Sequence, residues 1–408
     1  MKCWRLLCAV LTLLCLLTGC GTQTTTPTIP TTLGATAPTT TAPLQTREMR
    51  AAWVSHFEMA ELLQPCNTPA KAKTAIDGLM RELATVNMNT VFLHVRANSD
   101  AYYASSIFKA ATAAESLLSA GFDPLAYAVE AAHREGLELH AWVNPYRAGK
   151  QTAYVIDNVP TMQDAAERYY YVPTSAASQK LILDGVREIL NNYAVDGIQY
   201  DDYFYPEGLL ESTTVYDFER ADYEAYQTAG GTLAVADWRC AGVDMLIAST
   251  HTLTAANNVV FGVSPAANAQ KTYDSLYADC RKWLAEEGYI DYLCPQIYTG
   301  FDNGLSPFGD TVDTWLSYSR HSSVELYIGL GLYKIGLLSD TYAEGGVTEW
   351  CTHNDIMKRS VEYVRNRQIS GVCFYSYSYF SPAKKAGLSK TADLAIAEQE
   401  IENLLDVL

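Results

Sequence analysis

From Arg50 onward, short continuous apolar runs alternate with longer stretches whose apolar positions recur every three or four residues. The runs read as strands buried on both faces, and the longer stretches as amphipathic helices. Strands fall at 50–54, 90–95, 137–143, 198–200, 259–264, 292–296, 326–330 and 371–376. Helices fall at 70–86, 123–136, 178–193, 236–257, 274–287, 311–320, 355–366 and 390–407. In helix 70–86 the inward stripe is Ile76, Leu79, Met80, Leu83 and Val86. In helix 178–193 it is Leu181, Ile182, Val186, Ile189 and Leu190. Asp123-Pro124 marks a helix start with proline in the first turn, and Gly136 marks its end. The stretch 144–177 reads as a loop, 206–235 as an insertion, and Asp196-Gly197 as a tight turn before strand four. Eight strand–helix alternations predict a parallel sheet closed into an α/β fold of the TIM (β/α)8 type.

The first 46 residues break this pattern. Lys2 and Arg5 precede an apolar run from Leu6 to Leu17, too short for a permanent membrane span. Leu17-Thr18-Gly19-Cys20 has the form of a bacterial lipobox. We therefore expect a lipoprotein signal peptide at 1–19, a lipidated Cys20, and a Thr/Pro-rich tether at 20–46 that lacks the apolar content to fold. The barrel then occupies 47–408. The expected location is the extracytoplasmic face of a cell membrane, lipid-anchored, as a monomer.

A net charge of −17 argues against nucleic acid as a partner. The chain has 28 tyrosines and 7 tryptophans, which suit a sugar cleft or a large core. Cys3, Cys8 and Cys15 leave with the signal, and no C-x-x-C pair remains to suggest a zinc ribbon or a redox site. Cys294 and Cys373 lie within strand patterns and are expected as free buried thiols. No cofactor and no metal is called for.

Strand four ends in two adjacent carboxylates, Asp201 and Asp202, followed by Tyr203-Phe204-Tyr205-Pro206. Burying a carboxylate is expensive unless it is paired, and the C-terminal ends of barrel strands form the active-site face. The doublet is therefore the candidate catalytic pair; its alternative role is a helix cap or loop anchor. Other strand ends carry a matching density of polar and aromatic residues. Arg96 and Asp100 follow strand two. Strand three holds His140 and Trp142 and is followed by Asn144, Tyr146 and Arg147. Gln296 and Tyr298 end strand six. With Tyr203 and Tyr205 these are the candidate substrate-binding residues, and Arg96, Asn144, Tyr146, Gln296 and Tyr298 are expected in one pocket. Each has a plainer reading: His140 as a core histidine, Trp53 and Trp142 as barrel packing, Arg96 and Arg147 as partners of Asp100 or the doublet. Ser264 lacks the G-x-S-x-G setting of a hydrolase nucleophile.

These segments resemble the glycosyl-hydrolase-like 10 family of bacterial β/α barrels. The similar stretches are 48–54, 92–96, 123–125, 139–147, 196–206 and 294–298, in order and in register with the strands. Two positions depart from the family pattern: Ser99 stands where glycine is usual, and Ala266-Ala267 where Phe-Gly is common. The resemblance implies hydrolysis of cell-wall glycan, peptidoglycan strands stripped of peptide. A catalytically silent glycan-binding barrel is the alternative.

Glycoside hydrolysis normally needs a proton donor and a second carboxylate. If Asp201 is nucleophile or base, Glu58, Asp100 and Asp302 are candidate acids. In a substrate-assisted route, the sugar's acetamido oxygen attacks instead. One aspartate of the doublet orients that group, the other is the acid, and Tyr298 hydrogen-bonds the acetamido oxygen.

Overall fold

The computed structural model describes residues 47–385 and 387–408. The expected signal peptide, Cys20 and tether lie outside the described residues.

Eight parallel strands form the core: β1 Met49–Val54, β2 Thr90–Arg96, β3 Glu138–Val143, β4 Gly197–Tyr200, β5 Val260–Val263, β6 Tyr292–Leu293 with Gln296–Ile297, β7 Glu325–Leu326 with Ile328–Leu330, and β8 Gly371–Tyr375. β6 breaks at Cys294-Pro295, where proline has no N–H to give the ladder. Register holds across the breaks in β6 and β7, since Leu293 lies opposite Leu326 and Gln296 opposite Gly329. β8 pairs with β1, Met49 opposite Gly371. The sheet thus closes on itself in strand order one to eight, as the alternation predicts.

Side chains alternate across each strand. Ala52, Val54, Val91, Leu93, Ala141, Val143, Ile198 and Tyr200 join the main core between barrel and helices. Ala51, Trp53, Phe92, Trp142, Tyr292, Cys294 and Cys373 form a separate cluster inside the barrel. Cys294 and Cys373 are buried free thiols there. On β4 the same alternation sends Gln199 inward, with its side chain under Trp53 Nε1 at 3.4 Å. Gly197 opens β4 rather than forming a turn. It is glycine because a Cβ there would lie 2.4 Å from the His140 ring.

Two further expectations are corrected, and the expected insertion gains a helix. The stretch 144–177 is not simply a loop: Arg147–Gly149, Thr161–Gln163 and Tyr169–Tyr171 form a small antiparallel sheet. These strands are too short for a period to register. The insertion 206–235 holds the helix Asp217–Thr228, pinned by the buried Glu219–Arg239 ion pair. Helix 274–287 is two helices, Ala269–Leu276 and Cys280–Ala285. Tyr277 takes a left-handed conformation (φ 52°) between them, and Asn268 and Asp279 cap each start.

Candidate active site

The C-terminal strand ends surround a cavity of about 310 Å³, and every strand except β5 contributes to its lining. β1 supplies Trp53 and, just beyond it, His56 and Phe57. β2 supplies His94. β3 supplies Trp142, Asn144 and, after a turn, Arg147. β4 supplies Asp201 and Tyr203. β6 supplies Gln296 and Tyr298, the turn after β7 Tyr333, and β8 Tyr375. The aromatics pack into one wall: Tyr298 stacks on Tyr375 at 5.8 Å, and His94 on Trp142 at 3.6 Å between centroids. Trp53 and Trp142 therefore both pack the barrel and form the cavity's surface. A hollow of about 400 Å³ beside Glu61, Arg81 and Lys385 borders the helical shell instead and shares no lining residue with this cavity.

Among the described residues, Asp201 is the one carboxylate lining the cavity. Its Oδ1 accepts from Asp202 N and from Gln296 Nε2, each at 2.9 Å. The same Gln296 amide donates to Ser264 O at 2.9 Å, so its orientation is fixed. Burial raises the Asp201 carboxyl, opposed by the Asp202 and Gln296 hydrogen bonds and by the charge of Arg147. Asp202 is pushed well above the usual carboxylate range, first by burial and then by the Asp201 charge and hydrogen bond beside it. The two carboxyls titrate as a pair. Of the two, Asp202 is the carboxyl held more strongly toward its protonated form.

The two aspartates open on different spaces. Asp202, Tyr203 and Tyr205 line a second cavity of about 470 Å³ with Asp164, Arg168, Tyr170 and Glu207. Asp100 and Arg147 line a third of about 340 Å³ with Lys150 and Arg168. His56 and His94 are both neutral at pH 7. Burial, then Arg147, brings His56 down to about 4, and burial, with nearby cations, drives His94 well below its usual value.

Of the residues singled out from sequence, Trp142, Asn144, Arg147, Asp201, Tyr203, Gln296 and Tyr298 meet in the first cavity. Asp202, Tyr205 and Asp100 border the adjoining ones. Arg96, His140 and Tyr146 are elsewhere. A register shift between His94 and Arg96 breaks the alternation of β2, so Arg96 pairs beside outward-facing Val143. Its side chain donates to Pro145 O at 3.2 Å and lies over Phe108. His140 sits lower in the barrel, bonded to Tyr292 Oη at 2.9 Å. Tyr146 turns outward past Pro145 and meets Gln179 Nε2 at 3.3 Å. Asp302 is exposed and away from the cavity. Glu58 is buried, and its oxygens are taken by Ser55, Ser376 and Ser378. The extra hydroxyl of Ser99 bonds Tyr171 of the small sheet. Sequence reasoning passed over His94, Phe57 and Tyr333. For His94 the signal was present, since it shares the inward parity of Phe92.

The chain is 28% identical over 360 residues to glycosyl hydrolase DigH of Escherichia coli (strain K12), covering 76% of this chain and 80% of that protein. It is 29% identical over 321 residues to glycosyl hydrolase YngK of Bacillus subtilis (strain 168), covering 71% and 61%. The fold is shared with the PgaB (BpsB) glycoside hydrolase domain from Bordetella bronchiseptica, at a TM-score of 0.56 and 10% identity over 85% of this chain and 99% of that one. The sequence profile described as Glycosyl hydrolase-like 10 matches residues 48–344, and the chain belongs to that family.

Proposed function

We propose that this protein is a glycoside hydrolase cleaving peptidoglycan-type glycan strands at the extracytoplasmic face of a membrane, to which Cys20 is tethered by lipid. The observation that carries the catalytic reading is the buried Asp201, held by Gln296 and Asp202 N at an aromatic-walled cavity. Two relatives named as glycosyl hydrolases and the family membership support it. The lipobox and tether support the location.

The geometry favours the substrate-assisted route. Direct two-carboxylate mechanisms place the carboxyls roughly 5–5.5 Å apart for retention and about 6.5–9.5 Å for inversion. Asp202 is the sequence neighbour of Asp201 and gives it its backbone N–H, Glu58 is fully engaged, Asp100 borders the adjoining cavity with Oδ1 turned to Asn98 N, and Asp302 lies outside. Asp201 accepts the acetamido N–H and turns the carbonyl oxygen toward the anomeric carbon. As that oxygen forms its bond to carbon, the glycosidic C–O bond breaks and Asp202 gives its proton to the leaving oxygen. Water then adds to the anomeric carbon, the ring so formed opens, and Asp202 recovers a proton from the water. Stacked Tyr298 and Tyr375 offer a face for the sugar ring.

The test is incubation of the purified mature protein with peptide-free glycan strands, with products read by mass spectrometry. Fragments ending in an intact reducing sugar, absent with Asp201→Asn, support the reading. Binding of strands without cleavage would instead make the barrel a tethered glycan receptor.

A further inference from the structure

Arg147 follows β3 and lines both the Asp201 cavity and the adjoining cavity of Asp100. The chain has 29 basic and 46 acidic residues, so an arginine finds a carboxylate easily. Arg134, Arg168, Arg239, Arg365 and Arg367 all do. Arg147 makes no ion pair among the described residues. Its guanidinium lies over the face of Tyr203 at 4.8 Å, and its Nε is buried without a hydrogen-bond partner. Resting on a ring leaves the donor edge of the planar fork open, and that edge matches a carboxylate with two parallel hydrogen bonds.

The surroundings repeat the theme. Lys150, exposed on the same adjoining cavity, makes no ion pair among the described residues either. Arg168 is already neutralised by Asp164 at 2.6 Å. Among the described residues, Asp100 is the single carboxylate on that wall, and its Oδ1 is turned to Asn98 N at 3.3 Å. Trp142 Nε1 and Asn144 Oδ1, on the Asp201 side, are likewise buried without partners. Hydroxyl and amide groups of a sugar suit those two atoms, but an unpaired guanidinium in so acidic a protein calls for an anion.

We propose that Arg147, with Lys150 beside it, is a specificity-determining residue of the cleft that holds a carboxylate borne by the glycan. This deepens the reading of the cleft as a glycan site and rests on it. The carboxylate has two chemical sources, the lactyl ether of a peptide-free cell-wall strand or the C6 of a uronic acid. A strand whose carboxyl is already an amide to peptide lacks the charge Arg147 would hold.

The experiment compares four ligands: peptide-free strands, the same strands with carboxyls reduced to alcohols, neutral N-acetylglucosamine oligosaccharides, and a polyuronate. Each is offered to wild type, Arg147→Gln and Arg147→Lys, with folding checked by circular dichroism. Turnover and calorimetric affinity are both read. Wild type should prefer native to reduced strands by roughly 10- to 100-fold, the scale of a charge-assisted bidentate contact. Arg147→Gln should erase that preference through KM rather than kcat, and Arg147→Lys should keep part of it. Equal wild-type affinity for native and reduced strands overturns the proposal, as does an Arg147→Gln loss that is the same on both. If nothing is cleaved, the hydrolase reading fails, while the affinities still decide whether a carboxylate is read. Preference for strands over polyuronate assigns the lactyl source; the reverse assigns the uronic one.

Discussion

Glu58 is where the closure of the barrel and the identity of the acid can be tested together. Its Oε2 accepts from Ser55 N and Ser55 Oγ, each at 2.8 Å. Its Oε1 accepts from Ser376 Oγ at 2.7 Å and Ser378 N at 2.8 Å. Ser55 follows β1 and Ser376 follows β8, so one carboxylate ties the two strands that close the ring, at their catalytic ends. Glu58→Gln keeps the shape but turns one acceptor oxygen into an NH2 donor. A serine hydroxyl can rotate to accept from it; the backbone N–H on that side cannot. One donor left facing a donor costs about 1–3 kcal/mol, and losing charge assistance in the surviving bonds adds roughly 1 kcal/mol. The expected loss is about 2–4 kcal/mol, a large part of the ~5–15 kcal/mol that holds a typical protein folded. Urea unfolding should show a lower midpoint with an unchanged slope. Turnover, measured where the variant is still folded, should stay within roughly threefold of wild type, since removing a group that takes no part in the chemistry leaves the barrier alone. An unchanged midpoint with turnover abolished would refute the reasoning: Glu58 would then be a proton donor rather than a clasp.

Asp201→Asn should lower turnover by several orders of magnitude while glycan affinity stays within about tenfold; near-normal turnover in the folded variant would move catalysis to another carboxylate. Asp202→Asn should stabilise the fold at pH 7. Because the folded state holds this carboxyl above its unfolded value of roughly 3.9, folding takes up a proton, and stability declines as pH rises past that value. The variant's gain in thermal midpoint should therefore shrink as pH falls toward about 4, and a gain independent of pH would contradict this. Gln296→Leu removes a hydrogen bond that favours ionised Asp201, so the acidic limb of the pH–rate profile should move to higher pH; an unmoved limb would separate Asp201 from it. Cys20→Ala should release the protein from membranes into the soluble fraction, and unchanged sedimentation with membranes would exclude the lipid anchor.

The fold was legible because parallel barrel strands are buried on both faces and write themselves as continuous apolar runs. The site was legible only as far as alternation could be trusted. On β4 it held: Ile198 and Tyr200 face the helices, so Gln199 and Asp201 face the barrel axis, and adjacent aspartates open on different cavities. On β2 it did not hold to the end. The register slips by one residue between His94 and Arg96, which takes Arg96 out of the inward row and leaves His94 as the last cavity-facing residue of the strand. Nothing in Leu93-His94-Val95-Arg96 announces that slip, because a bulge is a property of two strands together. At Tyr146 the cause is local, since Pro145 ends the strand and the next side chain leaves the inward row. Glu58 stood among the candidate acids because a carboxylate beside a strand end reads as chemistry. What removes it is a pair of backbone N–H groups and two serine hydroxyls from opposite ends of the chain, a convergence that only closure of the ring brings about. Arg147 is the reverse case. Sequence suggests pairing with Asp100 or the doublet, because acidic neighbours are plentiful. In the fold, Asp201 is turned to Gln296 and Asp202, and Asp100 to its own loop. The guanidinium remains an uncommitted charge at the mouth of the barrel, placed where a substrate's own anion would complete it.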